Sequence, residues 1–228
     1  MRPAFDEHPV INPLPPVVWL LCGPIIAGEI LFGLGQSGLL GDYAMGWRLD
    51  ALQRFAFDPG ILRQMAAHGL WPWKQVARIV TYPFVHGSLM HAVMVLVFVL
   101  ALGKMVGEIF RGWAVAAVFF AATIAGALVY TAVPVTQGAL YGGYPGAYGL
   151  IGAFTWLLWM KLGQANANRS RAFMFIGFLM AVRLLFGVLF GGSADWIADF
   201  SGFAAGFLAS FLVAPGGWRR MLRQIRRR

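Results

Sequence analysis

Residues 113–133 read WAVAAVFFAATIAGALVYTAV, a run of apolar and small residues without one charged side chain. At ~1.5 Å per residue, a helix of about 20 such residues crosses a ~30 Å hydrocarbon core. Comparable segments recur at about Val17–Leu40, Phe84–Val106, Ala172–Phe190 and Trp196–Ala214, with a shorter one at about Gly146–Leu162. Across 228 residues, 59% are hydrophobic and 12% charged. That is about half the charge of an ordinary soluble domain, so lipid must solvate most of the surface. In lipid every backbone N–H and C=O has to be satisfied internally. The sequence therefore predicts an all-α membrane protein, a single bundle of six transmembrane helices with a short fourth helix.

Three regions follow. Residues 1–16 form a polar, Pro-rich N-terminus without the features of a signal peptide. Residues 17–214 form the transmembrane domain, whose long first loop covers about 41–80. Within that loop WRLDALQRF and ILRQMAAHGLWPWK read as amphipathic helices lying in the interface, where Trp is favoured. Residues 215–228 form a basic tail, with six arginines in WRRMLRQIRRR. Arg2, Lys104, Arg111, Lys161, Arg169, Arg171 and the tail arginines share one side of the membrane, against Arg48, Arg54, Arg63, Lys74 and Arg78 on the other. The positive-inside bias then makes both termini cytoplasmic. The tail suits anionic lipid at that leaflet. Nothing else in the chain resembles a nucleic-acid-binding fold. Cys22, the single cysteine, reads as a small buried hydrophobe.

Charges inside spans are costly and face protein partners. Here they are Glu29, Arg183, Asp195 and Asp199. The two aspartates share a helix face, and Arg183 suits either Asp199 or Glu29 as a partner. A structural ion pair is the favoured reading; a polar cavity for a client or ligand is the other. Gly146, Gly149 and Gly152 in the fourth span and Gly202 and Gly206 in the sixth form stripes of small residues. Such stripes let two helix backbones approach closely. His86 and His91 are five apart and lack the i, i+4 spacing of helical zinc motifs, so neither a metal nor a cofactor is expected. No internal repeat of the carrier type is evident.

The segments RIVTYPFVHGSLMH, GGYPGAYGLIGAF and DWIADFSGFAAGF, taken together, resemble the rhomboid family of intramembrane serine proteases over about residues 70–214. The resemblance implies six spans, a membrane-embedded first loop and close packing of the fourth and sixth helices. It assigns family-like positions to Arg78, His86, His91, Gly143 and Gly146. It also exposes departures. Matching the downstream glycines puts Tyr144 at the position of the family's serine nucleophile; matching the GxxG outline of Gly143–Gly146 puts Pro145 there. Asp199 stands at the family's catalytic histidine, and Val95 at its asparagine.

These departures remove the family's chemistry. A serine needs an adjacent base to become nucleophilic, and a missing oxyanion donor typically costs ~10²–10³ in rate. The resemblance thus implies a pseudoprotease of a bacterial inner membrane that holds transmembrane clients or partners. A protease using a relocated serine (Ser88, Ser193 or Ser201) and a structural subunit of a membrane complex are the alternatives.

Overall fold

The computed structural model describes residues 13–134, 136, 138–190 and 193–215. Most of the Pro-rich start, including Arg2, and nearly all of the Arg-rich tail lie outside the described residues. Nine α-helices are described: α1 (Pro16–Gln36), α2 (Trp47–Phe55), α3 (Pro59–His68), α4 (Trp73–Thr81), α5 (Leu89–Gly107), α6 (Gly112–Ala132), α7 (Tyr144–Gln164), α8 (Met174–Phe190) and α9 (Trp196–Val213). Short 3-10 turns precede α2, α5 and α8. Among the described residues the sole β-type pairing is an isolated bridge between Phe57 and Leu140.

Four helices, α1, α5, α6 and α9, are long and apolar enough to cross a membrane. With α7 and α8 they occupy the positions of the six predicted spans. The boundaries differ instructively. α5 starts at Leu89 rather than Phe84, because Tyr82–Phe84 form a 3-10 turn and Ser88 caps the helix by accepting from the His91 N–H. α7 is not short: it runs 21 residues, as many as α1 or α6. Pro145 sits in its first turn, where a missing N–H costs nothing. What is short is the deeply packed part, since its buried residues end at Trp156.

α7 lies at the centre, packed on α9, α6 and α5. This explains its composition: a helix enclosed by protein uses small residues where a lipid-facing one uses large apolar ones. A Cβ on Gly152 would overlap the Phe203 carbonyl oxygen, and one on Gly206 would overlap Gly149. A Cβ on Gly202 would overlap the Pro145 carbonyl oxygen, and one on Gly149 the Ala122 side chain. α7 and α9 therefore meet backbone to backbone. α1 packs on the other side of α5, burying Val18, Leu21, Cys22 and Ile25. Among the described residues, α8 has its main contacts with α9 and the Arg169–Phe173 turn.

The first loop is helical almost throughout. α3 shows why: Asp58 accepts from the Gly60 and Ile61 N–H groups at 2.7 and 3.2 Å, Pro59 opens the helix, and Gly69 closes it at φ +68°. Arg63 fastens this loop to the bundle. Its Nε donates to Thr131 O at 2.9 Å and its Nη2 to Val133 O at 2.8 Å. These are carbonyls that the end of α6 leaves without helical partners.

The α7–α9 contact predicts a sharp contrast between glycines. Gly152→Ala lowers stability by about 2–3 kcal/mol, the range for overpacking a tight site. Gly177→Ala, on α8 where a Cβ meets nothing within 4 Å, changes stability by less than about 1 kcal/mol. Thermal unfolding of both variants in detergent measures the difference.

Candidate functional site

The heads of α7 and α9 and the start of α5 converge on one cavity. The segment leading into α7 is tied to the end of the first loop. Phe57 and Leu140 exchange backbone hydrogen bonds at 2.8 and 2.7 Å, and Gly142 N–H donates to Tyr82 O at 3.0 Å. Gly142 has φ +89°, and a Cβ there would overlap the His91 imidazole. Only glycine fits this turn on both counts. The next amide, Gly143 N–H, donates to His86 Nε2 at 3.3 Å. Because Nε2 accepts, the neutral ring carries its proton on Nδ1.

His86 is fully buried in the loop ahead of α5. Burial, reinforced by the neighbouring His91 and the Arg48 cation, pushes its pKa down to about 3. It is therefore a neutral structural acceptor across the physiological range. Its carbonyl is held too, accepting from Arg48 Nη1 at 2.9 Å. Arg48 also forms a two-pronged ion pair with Glu29 on α1, at 2.9 and 2.8 Å. This corrects one expectation. Glu29 does not belong to a network with Arg183; it is satisfied by Arg48, a residue that counts in the sequence only as one more interfacial cation.

His91, on the first turn of α5, makes an edge-on contact with His86 and stacks on Tyr144 with ring centroids 5.1 Å apart and planes at 19°. Arg183 also lies over the Tyr144 ring, its guanidinium carbon 5.9 Å from the ring centroid. Arg183 Nη2 is 3.0 Å from Asp199 Oδ2. The Asp199 side chain is 2% exposed and that of Arg183 32%. Of the two partners weighed for Arg183, Asp199 is the one it meets. His91, Tyr144, Arg183, Asp195 and Asp199 line a cavity of about 370 Å³ together with Met94 and others.

The remaining predicted residues have other tasks. Pro145 borders the cavity but lies against Gly126 and Gly202, so it serves the α6–α7–α9 contact. Val95 is buried against Gly143 and Phe119 lies against Gly146. Asp195 precedes α9, accepting from Ser193 Oγ at 2.6 Å and Tyr130 Oη at 3.4 Å. Arg78 lies away from the cavity, with Nη2 donating to Gln53 O at 2.8 Å near the end of α2.

None of the three weighed serines is hydrogen-bonded to a histidine ring. Ser88 Oγ caps α5. Ser201 Oγ donates back to Ile197 O at 2.6 Å and Ala198 O at 3.0 Å. Ser193 meets a carboxylate, Asp195. Among the described residues no group of three His, Cys, Asp or Glu side chains is placed to hold a metal ion.

Two expectations follow. Arg183→Met leaves the Asp199 carboxylate buried without a counter-charge. The usual cost of breaking a buried pair, discounted because the arginine is a third exposed, is about 1–3 kcal/mol. Adding Asp199→Asn recovers much of it, and detergent melting of the single and double variants gives the comparison. The second concerns acid. His86 binds a proton more weakly folded than unfolded, so its contribution is full above the ordinary histidine pKa of about 6.5 and is lost as pH falls toward its folded value. Lowering pH from 7 to 5 costs about 2 kcal/mol through this group. Unfolding measured at both pH values shows the loss, and His86→Gln removes that part of it.

The family model described as Rhomboid domain matches residues 73–216. No curated protein matches the sequence. The matched residues make up more than half of the 228-residue chain, and they run from α4, through the cavity, to the end of α9: the chain belongs to the rhomboid family.

Proposed function

We propose that this rhomboid-family membrane protein is a pseudoprotease, which binds transmembrane clients or partners without cleaving them. The observation that carries the reading is the Tyr144–Arg183–Asp199 arrangement. By the family resemblance Tyr144 or its neighbour Pro145 stands for the serine and Asp199 for the histidine. Here a phenol, whose ordinary pKa is about 10, stacks on His91, and the carboxylate is engaged by Arg183. The stack and the ion pair form part of the cavity wall. Val95, at the asparagine position, has no donor to offer an oxyanion.

A client helix would enter between α5 and α8. Among the described residues, α8 leans mainly on α9 and the Arg169–Phe173 turn. The proposed setting is a bacterial inner membrane with both termini cytoplasmic and the Arg-rich tail against anionic lipid. A proteolytic alternative rests on Ser88 and Ser193, which both border the cavity.

Purified protein in lipid, offered a panel of transmembrane substrates and a fluorophosphonate probe, tests the reading. Neither cleavage nor labelling is expected. Labelling abolished by Ser88→Ala or Ser193→Ala would establish the protease instead. Crosslinking in native membranes separates client holding, with many substoichiometric adducts, from a structural subunit with one stoichiometric partner.

A further inference from the structure

The first loop carries five cations: Arg48, Arg54, Arg63, Lys74 and Arg78. Three are committed to internal structure. Arg48 pairs with Glu29, Arg63 holds the carbonyls at the end of α6, and Arg78 donates to carbonyls at the end of α2. Among the described residues Arg54 and Lys74 have no hydrogen-bond or ion-pair partner.

These two side chains line the same cleft, between α2 and α4, with a volume of about 530 Å³. Its other walls include Phe55, Trp73, Ala77 and Arg78, and no acidic residue lines it. The cleft is therefore apolar within and carries uncompensated positive charge. α4 adds to this. Pro72 offers no side-chain cap, so the Trp73 and Lys74 amides stay unpaired at the positive end of the helix dipole. A lysine at that end is unfavourable unless an anion joins it. The neighbouring Leu70, Trp71 and Trp73 are 68%, 58% and 74% exposed. Exposed tryptophans beside basic residues mark the depth of lipid headgroups.

We infer that the α2–α4 cleft binds one anionic phospholipid, its phosphate between Arg54 and Lys74 and an acyl chain against Phe55 and Trp73. Free phosphate would leave the apolar walls uncovered. A zwitterionic lipid would bring its own cation beside the protein's. The site is separate from the cavity around Tyr144 and does not rest on the pseudoprotease reading.

The test uses the full chain in neutral detergent, titrated with phosphatidylglycerol or phosphatidylcholine of matched acyl chains and followed by native mass spectrometry. Each basic residue near an anionic headgroup contributes about 1 kcal/mol, so the expected preference for the anionic lipid is roughly 5- to 30-fold. Arg54→Gln/Lys74→Gln abolishes it, and Lys74→Gln alone reduces it. A variant with Arg223, Arg226, Arg227 and Arg228 changed to Gln keeps one high-affinity adduct. An equal response to both lipids overturns the inference. So does a preference lost with the tail arginines but kept without Arg54 and Lys74. A photoreactive residue at position 73 is expected to capture lipid in native membranes; capture of a protein helix would assign the cleft to a partner instead.

Discussion

The backbone-to-backbone contact of α7 and α9 is the constraint on which the remaining geometry rests. Inside a bilayer, apolar side chains gain little by leaving lipid for protein, so helices associate through close packing. Gly149, Gly152, Gly202 and Gly206 provide that closeness. Once those surfaces meet, the heads of the helices are no longer free to move apart. Tyr144 on α7 and Asp199 in the first turn of α9 come to flank one cavity. The small residues say nothing about chemistry, yet they determine which chemistry-bearing residues face each other.

A carboxylate buried as deeply as that of Asp199 is expensive in a low-dielectric interior. The Arg183 guanidinium provides the counter-charge and also lies over the Tyr144 ring, where a cation is favoured. His91 stacks on the same ring. His91, Tyr144, Arg183 and Asp199 are thus physically linked. A tyrosine at the head of α7 fits because His91 stacks on it. An aspartate in α9 is tolerable because an arginine reaches it from α8. Replacing Asp199 alone leaves Arg183 without its carboxylate partner.

Much of the architecture was legible in the sequence, because hydropathy, charge placement and glycine spacing are local signals. The helices of the first loop, the enclosure of α7 and the pairing of Arg183 with Asp199 all have visible sequence counterparts. The boundaries were less legible. A run such as Tyr82–His91 is apolar enough to extend a span, and only the hydrogen bonding shows that Ser88 starts the helix. Long-range partners were least legible of all. Glu29 and Arg48 are separated by 19 residues and by the end of α1. Neither hydropathy nor spacing distinguishes Arg48 from Arg54. The sequence carried the WRLDALQRF stretch as a uniformly amphipathic helix, whereas its two arginines have opposite fates.

That division among the loop cations bears on orientation. Counted by charge alone, the five basic residues of the first loop weaken the positive-inside bias expected from Lys104, Arg111 and the other connections. Counted by what each touches, the conflict shrinks. Arg48 is neutralised by Glu29, while Arg63 and Arg78 are spent on carbonyls within the protein. Arg54 and Lys74, on α2 and α4, are the two without a hydrogen-bond or ion-pair partner among the described residues. The positive-inside rule concerns charges that resist translocation. A cation held by an internal ion pair or hydrogen bond is stabilised where it ends up, so it weighs less in such a count.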